Sequence, residues 1–490
     1  MRARSRRDRE CGVAPTEELM RGSMKRAAWA LGAALALAGL GCSSGGGDVA
    51  FVPSFLVSDV RIDTDFAGEA TSDSMRACSD GLTVYAVWRD FRNGSSDIYF
   101  SKSADGGATW LPTDVRLDTD AAGESSSDDP QITCEGQNLY VVWEDDRDDG
   151  KDIRFQRSTD GGDTWLAADV RLDLDLPGAA ASGDAFVAAG GTNVYVIWEE
   201  ERDGQRDVYF RGSTDSGATF GPEMLLNTNG AGASLSDRPR ISAPGANVAV
   251  VWHDNRNGSL DIFANVSRDG GATWLASDVR LDTDAAGAAQ SSDPEVEMDG
   301  ARVFVAWSDF RDGSADIRTN RSLDGGTTWL ATDVRVDTDV AGADTSIRPQ
   351  VRCSGNYVYV TWIDRRDGNG DVRFNRSTDQ GASFGAADAR LDTDAAGVAT
   401  SDFVKLAAQG PNVYVVWQDN RDGSNDVRFS VSTDRGASFL AADLQMDTHL
   451  AGAADSVFPQ ITNDGVNVYV LWSDRRDGNS DIYIRPSTQQ

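Results

Sequence analysis

The 490-residue sequence contains few histidines, few cysteines and little positive charge. Its two histidines, His253 and His449, lie far apart in the chain, so a histidine-based zinc site or a Ser-His-Asp triad would need an unusual arrangement. No P-loop, dinucleotide-binding fingerprint or Cys-x-x-Cys pair occurs. The 46 Lys and Arg residues are outnumbered by 78 Asp and Glu residues, which gives a net charge of −32. This charge argues against nucleic acid as a partner.

One phrase recurs along the chain with a nearly constant period. It reads Ser-x-Asp-x-Gly-x-Thr-Trp or a close variant, and its first copy runs from Ser103 to Trp110. Its aspartates follow one another at intervals of 54 or 55 residues: Asp105, Asp160, Asp215, Asp269, Asp324, Asp379 and Asp434. Periods in this range indicate solenoids, propellers or arrays.

A second phrase, Trp-x-Asp-x-Arg-x-Gly or a close variant, keeps the same register in eight copies. An apolar run such as residues 139–143 precedes each copy and predicts a buried strand, B. A glycine-bearing turn then leads to strand C, as at 152–155. Strand D follows the first phrase, as at 168–173, and strand A precedes the next strand B, as at 130–133. Four short strands per unit indicate a propeller blade.

The two ends of the chain complement each other. Residues 54–61 match the end of a unit, such as residues 273–280, whereas the last unit stops where its own strand D should begin. Residues 51–490 number 440, which is eight times 55. We therefore predict an all-β fold, an eight-bladed β-propeller of four-stranded antiparallel blades whose ring is closed by the N-terminal strand.

The Ser-x-Asp-Gly-Gly-x-Thr-Trp phrase resembles the Asp box, or BNR repeat, of sialidases and related propellers. The resemblance covers nearly all of residues 54–490 and implies a turn between strands C and D. An Asp side chain that accepts bonds from turn amides, glycines at positive φ and a packed aromatic explain the motif locally. Phe220, Phe384 and Phe439 replace the tryptophan in three copies. The boxes are expected to be structural.

The same resemblance raises sialidase activity as an alternative function. Family enzymes bind the substrate carboxylate with an arginine cluster, one member of which lies in an FRIP-type motif, and use a tyrosine nucleophile. No such motif occurs here, and nine of the ten tyrosines occupy repeated strand positions, with only Tyr357 outside them. The available carboxylate clamp is Arg76, Arg238 and Arg348. The sequence therefore leaves enzyme activity open and favours a binding protein.

Acidic loops with the pattern Asp-Thr-Asp-x-Ala-Gly recur on the face opposite the boxes. Their aspartates are Asp63 and Asp65, Asp118 and Asp120, Asp282 and Asp284, Asp337 and Asp339, and Asp392 and Asp394. Several carboxylates in one loop suit calcium, which takes six to eight oxygen ligands. The alternative is that these carboxylates form turns paired with arginine, and both interpretations stay open.

The N-terminal segment differs in composition from the repeats. Residues 1–23 are expected to be an upstream extension, and 24–42 resemble a bacterial lipoprotein signal that ends at Cys42, the predicted site of lipidation. Residues 43–53 form a Ser/Gly tether. This pattern predicts a lipid-anchored protein of the cell envelope, with secretion as the alternative. Past the signal, Cys78, Cys134 and Cys353 lie in separate units and are predicted to be buried free thiols.

These observations favour a monomeric surface protein whose propeller binds a glycan or another protein. The alternatives are a sialidase-like glycoside hydrolase and a structural envelope protein. A ligand site requires departures from the repeat, and such departures occur on the face of the acidic loops: Glu199, Glu200, Glu201, His253 and Lys405.

Overall fold

The computed structural model describes residues 52–488 and shows eight antiparallel sheets arranged in a closed ring. Two short strands, β1 (Ser54–Phe55) and β2 (Val60–Arg61), precede the first blade. Blades 1 to 4 comprise β3 (Ser72–Asp80), β4 (Thr83–Asp90), β5 (Asp97–Ser103) and β6 (Val115–Arg116); β7 (Ser127–Glu135), β8 (Asn138–Asp145), β9 (Asp152–Ser158) and β10 (Val170–Arg171); β11 (Ser182–Gly190), β12 (Asn193–Glu200), β13 (Asp207–Ser213) and β14 (Met224–Leu225); β15 (Ser236–Ser242), β16 (Val248–Asp254), β17 (Asp261–Ser267) and β18 (Val279–Arg280).

Blades 5 to 8 repeat the same order of strands A, B, C and D. They comprise β19 (Ser291–Asp299), β20 (Arg302–Asp309), β21 (Asp316–Ser322) and β22 (Val334–Arg335); β23 (Ser346–Ser354), β24 (Tyr357–Asp364), β25 (Asp371–Ser377) and β26 (Ala389–Arg390); β27 (Ser401–Gln409), β28 (Asn412–Asp419), β29 (Asp426–Ser432) and β30 (Leu444–Gln445); β31 (Ser456–Asn463), β32 (Val468–Asp474) and β33 (Asp481–Thr488). No helix in this part of the chain is long and apolar enough to cross a membrane.

The N-terminal strands complete blade 8 and close the ring. Both β1 and β2 pair antiparallel with β33, with Phe55 opposite Ser487 and Val60 opposite Ile484. The first strands of neighbouring blades contact one another around the central axis, and β31 contacts β3. The prediction of eight blades closed by the N-terminal strand is therefore confirmed.

The hydrophobic core lies between the blades. Strand B carries an almost continuous apolar run because both faces of each sheet are covered by neighbouring blades. One tryptophan per blade, at the end of this run, is fully buried: Trp88, Trp143, Trp198, Trp252, Trp307, Trp362, Trp417 and Trp472. Trp198 of blade 3, for example, packs with Tyr140 and Phe155 of blade 2. Each tryptophan thus joins two sheets.

The seven copies of the Asp-containing phrase, called boxes here, form the same turn between strands C and D. In the first box the carboxylate of Asp105 accepts hydrogen bonds from the Thr109 amide at 2.8 Å and the Thr109 hydroxyl at 2.6 Å. The box aromatics then pack across blades, as where Trp165 meets Phe100 with ring centroids 4.9 Å apart. Phe55 packs against Phe429 in the same edge-on manner. Blade 8 has no box, and β1 therefore supplies the aromatic contact that a box makes in the other blades.

The prediction of free thiols is wrong for all three cysteines, because Cys353 is also disulfide-bonded. Cys78 and Cys134 form a disulfide between β3 and β7, with their Cα atoms 6.1 Å apart. Their separation of 56 residues is one more than the repeat, so they do not occupy equivalent positions. Because the first strands of adjacent blades converge at the axis, this offset brings their side chains together.

Candidate functional site

The face that carries the B–C and D–A connections, called the loop face here, is covered by networks of Asp and Arg. In each blade the acidic residue at the end of strand B pairs with the arginine two positions later. In blade 5 the buried Asp309 accepts two hydrogen bonds from the Arg311 guanidinium, at 2.7 and 2.6 Å, and a third from Trp307 Nε1 at 3.1 Å. Arg311 also reaches Asp333 at 2.8 Å. The predicted pairing of the repeated arginines is therefore present.

The acidic loops predicted as calcium sites each enclose an arginine of strand D. In blade 5, Arg335 contacts Asp337 at 2.9 Å, Asp316 at 3.0 Å and also Asp339. The same arrangement surrounds Arg61, Arg116, Arg280 and Arg390 at the other predicted pairs. Calcium binding at these loops stays a prediction, and an ion there would have to displace a guanidinium group.

Three carboxylates around one arginine retain a proton. Burial and the charge of Asp316 raise the pKa of Asp337 to about 8, against the attraction of Arg335. The folded protein therefore holds a proton that the unfolded chain releases near pH 4, and the stability contributed by this group falls as the pH rises towards 8. Blade 3 has an asparagine at this position. The Asn227 side-chain oxygen accepts a hydrogen bond from the Val208 backbone N–H at 2.9 Å.

We therefore expect Asp337→Asn to stabilise the protein at pH 8 by at least about 1 kcal/mol and to leave its stability at pH 4 nearly unchanged. Urea denaturation of variant and wild type at both pH values measures this difference. Equal stability of the two proteins at pH 8 would show that Asp337 is already ionised without cost in the folded state.

The most irregular part of the loop face lies at its centre, where strand A begins. Each first strand contains a bulge that holds a non-glycine residue at φ between 45° and 57°. These eight half-buried residues define what we call the axial mouth: Ser74, Asp129, Asp184, Arg238, Asp293, Arg348, Phe403 and Phe458. Left-handed backbone at bulky residues is costly and concentrates at functional sites. The repeat keeps this conformation and varies its side chain.

A second variable position lies beside the axial mouth, between the Trp and Asp of strand B. Its eight members are Arg89, Glu144, Glu199, His253, Ser308, Ile363, Gln418 and Ser473. Three of these side chains accept a hydrogen bond from the backbone N–H of a mouth residue in the next blade. Glu144 accepts from Asp184 at 2.8 Å, and Glu199 accepts from Arg238 at 2.9 Å. Glu199 and His253, expected to depart from the scaffold, therefore belong to this site.

Most charged side chains of the mouth region lie in blades 1 to 4, whereas Asp293 and Arg348 belong to blades 5 and 6. Arg89 pairs with Asp73 at 2.8 Å and with Asp128 at 3.0 Å, and Lys151 pairs with Glu144 at 2.6 Å. Burial raises the pKa of Glu144 to about 7 against the attraction of Lys151. Such a group can both donate and accept hydrogen bonds near neutral pH.

Glu199 has a similar environment in blade 3. Burial and the neighbouring Asp184 and Asp237 raise its pKa well above the usual range. Arg206 pairs with Glu199 at 2.6 Å, and His253 contacts Asp237. This half of the mouth therefore presents two buried glutamates whose pKa values are both raised.

The opposite half of the mouth is aromatic. Phe403 and Phe458 meet edge to face with ring centroids 4.8 Å apart, and the guanidinium of Arg348 lies 5.1 Å from the Phe403 ring centroid. An apolar aromatic surface beside convergent polar groups is typical of small-ligand sites.

The three arginines of the predicted carboxylate clamp do not form one cluster, and each guanidinium group already has a partner within the protein. Arg238 pairs with Asp293, and Arg348 pairs with Asp402. Arg76 lies two residues past its mouth residue, is buried, and donates to Gln131 at 3.2 Å. Tyr357 begins strand B at the opposite end of the sheet from the mouth.

The remaining candidate residues lie apart from one another. Glu200 pairs with Arg202 and accepts a hydrogen bond from Trp198 Nε1 at 2.9 Å. It therefore takes the place of the repeated aspartate. Glu201 is exposed in the next loop, and Lys405 lies below the mouth in β27. Cys42 and residues 1–51 lie outside the described part of the chain. The mouth aromatics Phe403 and Phe458 were missed, although each breaks an otherwise polar position of the repeat.

Comparisons with known proteins add general architectural likeness. No protein-family model matches the sequence, and a search of curated proteins found no match. A PL25 ulvan lyase is 11% identical over 77% of this chain and 96% of its own, with a TM-score of 0.49. The GH93 α-L-arabinofuranosidase of Fusarium graminearum is 15% identical over 63% of this chain and 92% of its own, with a TM-score of 0.39.

A sialidase also matches. A variant of NanB from Streptococcus pneumoniae is 10% identical over 83% of each chain, with a TM-score of 0.39. At these identities and TM-scores, the matches carry no argument about the activity of this protein.

Proposed function

We propose that this propeller is a binding protein and that its axial mouth recognises a glycan. The observation that carries this proposal is the ring of eight left-handed bulges, which presents serine, aspartate, arginine and phenylalanine side chains in different blades while the surrounding scaffold repeats. Strained backbone that is kept in every copy while its side chain varies is expected of a ligand site.

The chemistry of the mouth suits a sugar. Phe403 and Phe458 provide aromatic surface for the apolar faces of sugar rings. Glu144 and Glu199, across the mouth, offer carboxyl groups that can accept hydrogen bonds from hydroxyl groups or, when protonated, donate them. Sialic acid hydrolysis has less support, because Arg238 and Arg348 are each engaged by an aspartate.

We further propose export and lipid anchoring at Cys42. The apolar stretch from Ala27 to Leu40 and the Ser/Gly segment after Cys42 support this location. The Cys78–Cys134 disulfide adds support, because such bonds persist in oxidising compartments outside the cytoplasm.

A glycan array followed by calorimetry tests the proposed binding. We expect the double variant Phe403→Ala/Phe458→Ala to lose at least about tenfold in affinity for the sugar that the wild type binds, because aromatic anchors dominate such contacts. Phe66→Ala is the matched control, since Phe66 is 80% exposed in a D–A connection of the same face. Unchanged affinity in the folded double variant would place binding elsewhere.

A further inference from the structure

The strand D arginine that the acidic loops enclose is replaced in two blades. Six blades carry it, whereas Leu225 and Gln445 take its place in blades 3 and 7. In blade 3 the two aspartates of the loop are replaced as well, by Asn227 and Asn229, and Asp207 is the carboxylate that is kept. The Asn227 side-chain amide donates a hydrogen bond to Asp207 at 2.7 Å. In blade 3, therefore, loss of the cation is accompanied by loss of two anions.

Blade 7 loses the arginine but keeps two of the carboxylates. Asp426 and Asp447 occupy the positions of Asp316 and Asp337 in blade 5, and His449 replaces the third aspartate of the loop. Both carboxylates are buried. One ligand atom from each of the three blade 7 side chains lies within 4.8 Å of the other two. Two carboxylates and an imidazole therefore converge at a position where six other loops enclose a guanidinium group.

The contacts of these carboxylates leave lone pairs for a further cation. Asp447 accepts a hydrogen bond from the Gln445 side-chain amide at 2.5 Å, and Asp426 accepts from one backbone N–H through both oxygens, at 3.1 and 3.2 Å. Arg428 lies 3.4 Å from Asp426, and its guanidinium group also pairs with Asp422. A carboxylate offers about four lone-pair sites, so neither group is saturated by these contacts.

The hydrogen bonds of His449 direct its Nε2 towards the carboxylates. Nδ1 lies 3.0 Å from the Leu450 carbonyl oxygen, which only accepts, so Nδ1 carries the proton of the neutral ring and Nε2 carries a lone pair. The Ser456 hydroxyl lies 3.0 Å from Nε2 and 2.8 Å from Asp474, and the equivalent serines of other blades donate to that aspartate. Nε2 lies 3.6 Å from Asp447, and the His449 side chain is only 10% exposed. A buried nitrogen lone pair thus faces carboxylates without a donor of its own.

We propose that blade 7 binds a divalent transition-metal ion such as Zn²⁺ through Asp426, Asp447 and Nε2 of His449. The ion would supply the positive charge that arginine supplies in six other blades. An imidazole among the ligands suits zinc better than calcium, which takes oxygen ligands, and donation of the other ring N–H to a carbonyl is common in metal-binding histidines. Zinc–ligand bonds of about 2.0–2.2 Å place the ligands of one ion within about 4.4 Å of one another. Small side-chain rotations would reach that separation. The proposal does not depend on glycan binding by the axial mouth.

Titration of the chelator-treated full protein with Zn²⁺, by calorimetry and by thermal melts, tests this proposal. We expect binding of one ion and an unfolding midpoint that rises and saturates, because a ligand of the folded state stabilises it. Asp447→Asn and His449→Ala should each lower the affinity at least about tenfold, since each removes a direct ligand. Asp337→Asn is the matched control, because Arg335 already fills the equivalent place in blade 5. It should keep the affinity of the wild type.

The double variant Gln445→Arg/His449→Asp restores the set of side chains with which six other blades fold. It should stay folded and show no saturable response to zinc. In crystals of the wild type, anomalous scattering at the zinc edge should place the ion in contact with Asp426, Asp447 and His449.

Three results would overturn the proposal. One is a midpoint that rises equally in the wild type and in all the variants, and another is a zinc peak away from these three ligands. The third is the absence of any response to zinc. If NMR then showed that the His449 ring carries two protons at pH 7, a proton rather than a metal would take the place of the missing arginine.

Discussion

A chain that begins at Ser72 is expected to be much less stable than one that begins at Val52, and to self-associate. The shorter chain lacks β1 and β2, so the outer edge of β33 loses its backbone partners and becomes available to other molecules. It also loses Arg61, which lies 2.9 Å from Asp481. Breaking a buried ion pair costs about 3–5 kcal/mol, and lost strand pairing adds to that cost.

Guanidinium denaturation and size-exclusion chromatography of the two chains measure this effect. The chain that begins at Val52 is the control, because it keeps both closing strands and lacks only the segment outside the described fold. If the shorter chain stayed monomeric and kept the denaturation midpoint of the control, the seven complete blades would be stable without closure.

The repeat explains why the fold could be predicted from sequence and much of the site could not. A period of 55 residues, together with a surplus first strand that matches the missing last one, leaves one simple way to close the ring. The disulfide was mispredicted because it depends on a one-residue offset between Cys78 and Cys134, which a spacing argument treats as equivalence.

The axial mouth is harder to predict because its defining feature is conformational. Left-handed backbone is usually inferred from glycine, and all eight mouth residues are of other types. The available signal is a fixed repeat position whose residue type changes from Ser74 to Asp129 to Phe403. Sequence alone identified Arg238, Arg348, Glu199 and His253 as departures from the repeat, without showing that they surround one axis.

Asp309→Ala is expected to destabilise the protein by about 3–5 kcal/mol, because it leaves a buried guanidinium group and other buried donors with fewer partners. Asp309 is fully buried and accepts hydrogen bonds from Arg311, Trp307 Nε1 and the Ser291 hydroxyl. Chemical denaturation at pH 7 measures the loss. Asp324→Ala, in the box of the same blade, should cost much less, because this carboxylate serves an exposed turn.

Two comparisons separate loss of the network from a general effect of substitution. Asp309→Glu should retain part of the stability, because Glu200 pairs with Arg202 and Trp198 in the same position of blade 3. If Asp309→Ala lost no more stability than Asp324→Ala, the strand B aspartates would not be the main electrostatic interactions that stabilise the propeller.

The pH dependence of this loss gives a further test of its cause. Burial alone would raise the pKa of Asp309, but hydrogen bonds from Arg311 and Trp307 lower it below the ordinary value. The stability contributed by its charge is therefore present above the ordinary aspartate pKa near 4 and is lost as the pH falls through the lower value of the folded state. The difference in the free energy of unfolding between wild type and Asp309→Ala should accordingly become smaller on acidification. A difference that stayed constant down to pH 2 would mean that Asp309 acts through packing and shape, because protonation removes its charge and leaves its volume unchanged.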